Sequence, residues 1–575
     1  MSDLYEKISD LAKRRGFFWP SYEIYGGVSG FYDLGPYGVL LKQRIIEKWR
    51  ELFVRNHQEY VVELESPLIA PSVVFEASGH VEHFTDPIVT CKGTGRRYRA
   101  DHLIEEALGI SAEGMSTEEM SKLLRERGVK CPDGGEPGEV TTFNLLFKTQ
   151  IGPYEGDVGY LRPELAQGMF VAFKRVLEAM RNKLPLGIAQ IGRVGRNEIS
   201  PRQAMIRLRE FTIMEMEYFV DPEDRDGSCP FFEERAGTRL RILSYDAKAK
   251  GGEPQSFTVE EAVMEKVIVD KCLAYWMAVG QEFVEALGVP RHEILFVEKG
   301  PGERAHYSSQ TFDQVVRTSR WGWVEVAGHS YRGDYDLSRH MSYSKADLTV
   351  FKQYREPLNV RVKKVMVDKG ALGRLFREKT MEVFSRLQSL PAEVVEEQLA
   401  KEGKVTVDGY QVPKEAVRIE EVEEKVTGKK VVPHVVEPSF GGDRALYVAF
   451  EYAYREKEGR VILAFPRDLA PVQAAVLPLL ENDEELIRTA REIYKALVRE
   501  GFYVIYDDNG SIGRRYARTD ELGVPAAITV DYKTLEDRTV TIRDRDSWNQ
   551  VRVRAEDLPS ALKKFLRGAP LESLP

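Results

Sequence analysis

Apolar positions recur along this chain at two periods, and the elements change where the period changes. Between Val39 and Val54, the residues Leu41, Ile45, Trp49, Leu52 and Phe53 repeat at helical spacing and predict a long amphipathic helix. An extended piece, Tyr60 to Pro71, follows it. After Pro163, Leu165 to Met180 predicts a second helix with Met169, Phe173, Val176 and Met180 on one face. Gly187 to Glu198 and Leu208 to Val220 predict two strands joined by a turn containing Ser200 and Pro201, a hairpin with an unusually polar tip. Thr258 and Glu261 have the spacing of a capping box and predict one helix running to about Leu287. A Gly441–Gly442 turn leads into a helix from Asp443 to about Glu456.

Beyond Arg460 the pattern alternates strand and helix. Val461 to Phe465 predicts a strand. Asn482 and Glu485 predict the cap of a helix carrying Leu486, Ala490, Ile493 and Leu497 on one face and ending at Gly501. Tyr503–Tyr506, Ala526–Val530, Thr539–Arg543 and Gln550–Arg554 complete a separate α/β domain over 459–575. Stretches 92–155, rich in Gly, Glu and Lys, and 351–432, highly charged, read as insertions. They divide a core into 1–91, 156–350 and 433–458.

Apolar residues make up 43% of the 575 and charged residues 30%, the balance of a globular protein with a sizeable core. No apolar run approaches the ~20 residues that cross a bilayer. Met1 to Pro20 carries charges throughout, unlike a secretory signal, so a cytoplasmic location without membrane association is expected. A net charge of −9 argues against bulk binding to a long polyanion. It leaves tRNA open, because phosphate contact needs only local basic patches. Four cysteines make no disulfide framework, and Cys229 and Cys272 read as small buried apolar residues.

The charges around the hairpin carry the candidate chemistry. Side chains alternate faces along a strand, so Arg196 and Glu198 are expected on one face, and Arg209, Phe211 and Glu215 likewise. Burying such a face without partners is costly. It is either a solvated face with cross-strand ion pairs or a ligand surface. Leu161-Arg162-Pro163-Glu164 precedes it, and Glu437-Pro438-Ser439-Phe440-Gly441-Gly442-Asp443-Arg444 follows far downstream. Arg444 falls in the first turn of its helix, where a cation opposes the dipole. A bound polyphosphate would offset that, although an ordinary turn with a surface arginine fits the octapeptide too. No Walker A pattern and no strand-following G-x-G-x-x-G is present.

Together these segments resemble class II aminoacyl-tRNA synthetases, specifically the dimeric glycyl-tRNA synthetases of archaeal and eukaryotic type. The resemblance rests on YLRPELAQG…AQIGRVGRNEISPR…RLREFTIMEMEYFVDP within 160–222, EIYGGVSGFYDLGPYG (23–38), ASGHVEHFTDP (77–87), GWVEVAGHSYRGDYDLSRH (322–340), EPSFGGDR (437–444) and SIGRRYARTDELGVP (511–525). It implies an α+β fold: an antiparallel sheet with flanking helices and insertions, plus a C-terminal α/β anticodon-binding domain. It implies a homodimer through motif 1, here 39–71, with motif 2 at 187–220 and motif 3 at 437–455. The reaction implied is ATP-dependent attachment of glycine to its tRNA through glycyl-adenylate.

By the same resemblance Arg196 contacts the α-phosphate and Arg444 the γ-phosphate, and these two are the catalytic residues. Glu198 reads the adenine edge, Phe211 stacks on the ring and Arg207 holds the tail of a bent ATP. Asn197, Ile206 and Val326 complete the nucleotide site. Glu325 and Glu437 are expected to ligate Mg²⁺. Glu164, Glu215, Glu437 and Ser439 fit the ammonium of glycine, with Arg99 and Arg332 as carboxylate or pocket partners. Family members often carry two CPxCG knuckles in the first insertion. Here they read Cys91-Lys92-Gly93-Thr94-Gly95 and Cys131-Pro132-Asp133-Gly134-Gly135. Two thiolates, even with His102, fall short of a four-ligand site, so no zinc is expected. Phe465, Arg467, Arg514, Arg515, Arg538 and Arg543 are candidates for tRNA contact, against a reading as surface charge or core. Removal of 460–575 is expected to spare glycine activation and impair charging. The rivals are a synthetase for threonine, proline or serine, and a non-catalytic tRNA-binding module.

Overall fold

The computed structural model describes residues 3–574 apart from 113, 154–155, 200, 202, 225–226 and 305–306, so Ser200 of the predicted turn lies outside the described residues. The chain forms two compact units, 1–348 with 432–575, and 349–431.

A nine-stranded sheet organises the first unit. Its strands are β1 (Val61–Glu63), β2 (Leu186–Gly195), β3 (Glu210–Val220), β4 (Arg239–Leu243), β5 (Gln255–Thr258), β6 (Ile294–Glu298), β7 (Gln310–Thr318), β8 (Gly322–Gly333) and β9 (His434–Gly441). They lie in the order β5-β4-β6-β7-β8-β9-β3-β2-β1. Neighbours run antiparallel except β1 with β2 and β4 with β6. Pairing between β2 and β3 stops at Gly195 and Glu210, short of the predicted strand ends, so Arg196 and Glu198 sit in the connecting loop. The antiparallel α+β architecture implied by the sequence is the one observed.

Helix α1 (Pro36–Phe53) buries the predicted stripe Leu41, Ile45, Trp49, Leu52 and Phe53. It begins earlier than the apolar period suggests because Pro36 at the first turn has its φ preset and needs no hydrogen-bond partner for nitrogen. Helix α2 (Ala166–Ala179) buries Met169, Phe170, Phe173 and Leu177, while Val176 and Met180 are only half-buried. Its inner face is set by Phe219 of β3, whose ring stacks on Phe173 at 4.3 Å. The capping box at Thr258 and Glu261 forms, but its helix ends at Met264. Lys266 adopts a left-handed φ of 58°, and Asp270 then caps a new helix, α3 (Lys271–Ala286), by accepting from the Cys272 and Leu273 amides. Helix α4 (Gly442–Ala453) starts at the predicted Gly-Gly turn.

After a small hairpin (Tyr454–Lys457 with Arg460–Leu463) comes a five-stranded mixed sheet. Its strands are β10 (Ala474–Pro478), β11 (Val504–Tyr506), β12 (Ala526–Val530), β13 (Thr539–Asp544) and β14 (Gln550–Arg554), ordered β11-β10-β12-β13-β14. The predicted strand at Val461 therefore belongs to the hairpin. Helices α5 (Glu484–Arg499), α6 (Ile512–Glu521) and α7 (Leu558–Leu566) flank the sheet. The cap of α5 is Asp483, one residue beyond the predicted Asn482, because its carboxylate reaches the Glu485 and Leu486 amides. Leu463, Phe465, Leu469, Val472 and Leu477 share one apolar core with α1 and α4. Phe465 lies 6.2 Å from Phe17 and 6.0 Å from Phe450 between ring centroids.

Within the first unit, residues 85–144 form a three-stranded sheet (Thr85–Lys92, Arg97–Arg99, Glu136–Asn144) with two helices over their own small core. The second unit is a long two-stranded ribbon (Val350–Val367 with Val417–Val431), three helices and a hairpin around Leu372, Val383, Leu387, Val395 and Val412. Among the described residues no helix is long and apolar enough to cross a membrane.

Candidate active site

One cavity of about 250 Å³ opens on the face of the large sheet where β7, β8, β9 and β3 lie side by side. Strand register explains its floor. Ser439 of β9 pairs with Glu215 of β3 on one side and Gly328 of β8 on the other, and Glu437 pairs with Ser330. Glu215, Ser439, Glu437 and Ser330 therefore come from three adjacent strands and line the cavity together, with Phe211 and Ile213 further along β3. A bulge decides the place of Glu325. Opposite Gln314 and Val315, β8 inserts Val326 as an extra residue, so Glu325 reverses its face and joins Gly328 and Ser330 in the lining.

The cationic end is built from the hairpin loop and α4. The Arg196 Nε donates to the Pro163 carbonyl at 3.0 Å, and its guanidinium lies 5.6 Å and 5.4 Å from the Phe84 and Phe211 rings. Arg207 donates to Glu198 at 2.7 Å. Arg444 is aimed by two carbonyls, those of Ile206 and Glu325, each at 2.8 Å, and lies 3.4 Å from the Glu325 carboxylate. Its neighbour Asp443 accepts from the Thr212 amide at 2.6 Å and from Lys42 of α1 at 2.9 Å, tying three elements together beneath the arginine. Burial raises the Glu325 carboxyl, but Arg444, Lys299 and Arg196 outweigh it and hold the group below its ordinary value. Asp313, beside it, is pushed up to about 7 by burial and the Glu325 charge, against the opposing Lys299.

The acidic end is deeper. Glu215 accepts the Leu165 amide at 2.7 Å. Glu215, Glu217 and Glu437 place carboxylate oxygens within 4.8 Å of one another. Burial and then Glu437 and Glu164 push the Glu215 carboxyl well above its ordinary value, and burial with Glu437 does the same to Glu217. Burial would raise Glu164 as well. His80 at 3.4 Å and Arg332 at 3.7 Å reverse that and hold it low. Arg332 is fully buried behind this group, donating to Asp336 at 2.9 Å and Glu437 at 3.0 Å with the Tyr307 ring 3.7 Å from its guanidinium carbon.

Most of the residues expected from sequence meet in this cavity: Glu164, Arg196, Glu198, Ile206, Arg207, Phe211, Glu215, Glu325, Val326, Glu437, Ser439 and Arg444. Three do not. The Asn197 amide donates to the Leu145 carbonyl, away from the lining. Arg99 pairs with Asp86 at 2.8 Å and lines a neighbouring cavity with His102 and Arg207. Arg332 supports the carboxylates from behind instead of lining the site. Arg209, expected on the face of Phe211, turns to the Glu198 and Ser29 carbonyls. Glu325 and Glu437 form no common cation-sized group among the described residues, because Glu437 is engaged by Arg332 and grouped with Glu215 and Glu217. His102 stands apart from Cys91, Cys131 and Asp133, which cluster by themselves. Sequence reasoning missed Glu217, Lys299, Tyr307, Asp313 and Thr311. Of these Glu217 was legible, since it follows Phe211, Ile213 and Glu215 at the strand period.

Several tRNA candidates are structural. Phe465 is core. Arg515 is buried and donates to the Gly510 and Leu479 carbonyls. Arg543 is buried and paired with Asp520 at 2.9 Å. Arg467 stacks on Phe565 at 3.8 Å. Arg514 and Arg538 remain exposed.

A mostly antiparallel sheet with a polar hairpin, a cationic helix start and a cavity between them defines a class II aminoacyl-tRNA synthetase. The fold matches a prolyl-tRNA synthetase from Cryptosporidium parvum, solved with L-proline and AMP, with a TM-score of 0.51 at 14% identity, covering 97% of this chain and 74% of that one. Residues 473–565 match the anticodon binding domain family. The glycine–tRNA ligase of Aeropyrum pernix is 65% identical, covering 100% of this chain and 98% of its own, and that of Pyrococcus abyssi is 48% identical, covering 99% of each. The chain belongs to the glycine–tRNA ligase family.

Proposed function

We propose that this chain activates glycine with ATP in the cavity on the sheet and then passes the glycyl group to the terminal ribose hydroxyl of the glycine tRNA. The observation that carries the reading is the meeting, in one cavity, of three phosphate-suited arginines with a buried carboxylate niche. In the first step a glycine carboxylate oxygen attacks the α-phosphorus and pyrophosphate leaves. A carboxylate is already ionised at neutral pH, so no general base is needed, and catalysis is positioning plus stabilisation of negative charge. Arg196 faces the α-phosphate, Arg207 and Arg444 the tail, Glu198 the adenine edge, and Phe211 stacks on the base.

The ammonium of glycine lies among Glu215, Glu437, Ser439 and Glu164, and Glu217 adds a fourth carboxyl beneath it. Crowded carboxyls that resist ionisation gain from an incoming cation. The niche accepts an ammonium but leaves no room for a larger side chain, so exclusion supplies specificity without editing. Hard oxygen donors suit magnesium, and Glu325 with Asp313, whose carboxyl is raised by burial and then by the Glu325 charge against Lys299, would hold that ion. Magnesium held there would neutralise phosphate charge. The chemistry calls for no zinc. A homodimer is the assembly we assign. Its support is the edge position of β1 and the exposure of Ile69 and Val73, which follow it in the chain, 46% and 51%. The C-terminal sheet is assigned to the anticodon.

Pyrophosphate exchange with glycine, alanine and serine as alternative substrates tests the reading. Exchange is expected with glycine alone. Exchange driven by serine or proline would transfer the chain to a different specificity.

A further inference from the structure

The four cysteines are far apart in sequence, yet the fold gathers them two by two. All four are buried and unlinked in this structure. The Cys91 and Cys131 sulfurs and an Asp133 carboxylate oxygen lie within 4.8 Å of one another. The Cys91 thiol donates to Asp133 at 2.9 Å. A Cβ at Gly135 would stand 2.2 Å from the Cys91 sulfur, so this turn is shaped around the thiol. In the second pair, the Cys272 thiol donates to the carbonyl of Ser228, the residue before Cys229, at 3.2 Å, which places its sulfur near enough to the Cys229 thiol for the two to influence each other. The fold thus brings four scattered cysteines together as two neighbouring pairs.

We propose that the oxidised chain carries two disulfides, Cys91–Cys131 and Cys229–Cys272. In each, one sulfur–sulfur bond forms as two S–H bonds break. The two protons and two electrons pass to a small-molecule disulfide, which leaves as two thiols. A thiolate attacks that disulfide and releases one thiol, and the second cysteine displaces the other from the mixed disulfide. Each link closes a loop of about forty residues, long enough for the cross-link to restrict the unfolded chain strongly. The first fastens the two turns of the 85–144 subdomain, and the second fastens the start of α3 to the segment after β3. Burial raises the Cys131 thiol to about 12. Thiolate is therefore scarce at Cys131, which slows its part in forming the link after folding and makes it a poor leaving group toward reductant once the link is formed.

The test uses the full chain, refolded with oxidised glutathione. Its thiols are counted by maleimide labelling in guanidinium without reductant, and linked peptides are mapped by mass spectrometry. No labelled cysteine, two cross-linked peptides of the stated pairing, and a lower unfolding temperature in strong reductant are expected. Cys91→Ser should free Cys131 alone, and Cys272→Ser should free Cys229 alone. Four labelled cysteines, or links joining other pairs, would overturn the proposal. One bound zinc per chain, with Cys91 and Cys131 open to labelling once it is chelated away, would overturn the first link. Mapping on the parent chain stands even if a variant does not fold.

Discussion

Arg444 stands in the first turn of α4, where a cation opposes the helix dipole. The fold tolerates it because two carbonyls and the Glu325 carboxylate hold the guanidinium, and that arrangement leaves it poised for phosphate. Arg444→Ala is expected to lower glycine-dependent pyrophosphate exchange by at least ~10²-fold, the usual cost of one charge-stabilising donor. An unchanged rate would remove Arg444 from the mechanism. Glu217 is the opposite case, a buried carboxyl that its own surroundings serve badly. Among the described residues neither of its carboxyl oxygens has a hydrogen-bond partner, and burial with the Glu437 charge raises its proton affinity well above the ordinary carboxylate range. The unfolded chain gives up that proton from about pH 4.3 upward while the folded chain retains it, so the group costs stability as pH rises until the raised folded value is passed. Glu217→Gln should therefore melt higher than the parent at pH 8, with the two curves converging toward pH 4. A difference independent of pH would show that the carboxyl is not the cause.

Among elements, the Lys42–Asp443 pair links α1 to α4, and the Thr212 amide brings in β3. Both side chains are largely buried, 11% and 6% exposed. Lys42→Met leaves the Asp443 charge without its cation and is expected to cost about 3–5 kcal/mol in denaturant unfolding. A loss under about 1 kcal/mol would place the pair among solvent-screened bridges. The bulge at Val326 shows why the site was only partly legible from element patterns. A regular β8 would put Glu325 on the face opposite Ser330, and no residue type at 324–328 announces the inserted position. Arg196 and Glu198 do face one cavity, as strand alternation suggested, but a loop turn puts them there, with the Glu198 amide on the Arg196 carbonyl at 2.7 Å.

For the whole molecule, the C-terminal region is less separable than its alternating pattern suggested. Phe465 and Leu463 belong to the core that holds Phe17 and Phe450, and Glu521 pairs with Arg14 at 2.7 Å. A chain ending at 459 would bare those rings, so glycine exchange and thermal stability should fall together with charging, contrary to the expectation from sequence. Survival of exchange and melting temperature in that truncation would show the core to be divisible. The exposed pair Arg514→Glu with Arg538→Glu separates the steps more cleanly. Charging should weaken most at low salt, with the difference from the parent narrowing as salt rises, while exchange holds. Loss of both activities would remove the C-terminal surface from tRNA contact. What this chain's sequence determined alone is whatever local geometry dictates: the helix over 39–53 from its apolar stripe, the face shared by Phe211 and Glu215 from the strand period, and the helix start beneath Arg444 from its glycines. Tertiary structure decided which distant groups keep company. It turned Arg515 and Arg543 inward, set Arg332 behind the acidic niche, joined Glu217 to Glu437 and brought four scattered cysteines into two pairs. Period and propensity describe a few neighbouring residues, whereas burial and pairing of charges depend on strands hundreds of positions apart, whose meeting no local pattern encodes.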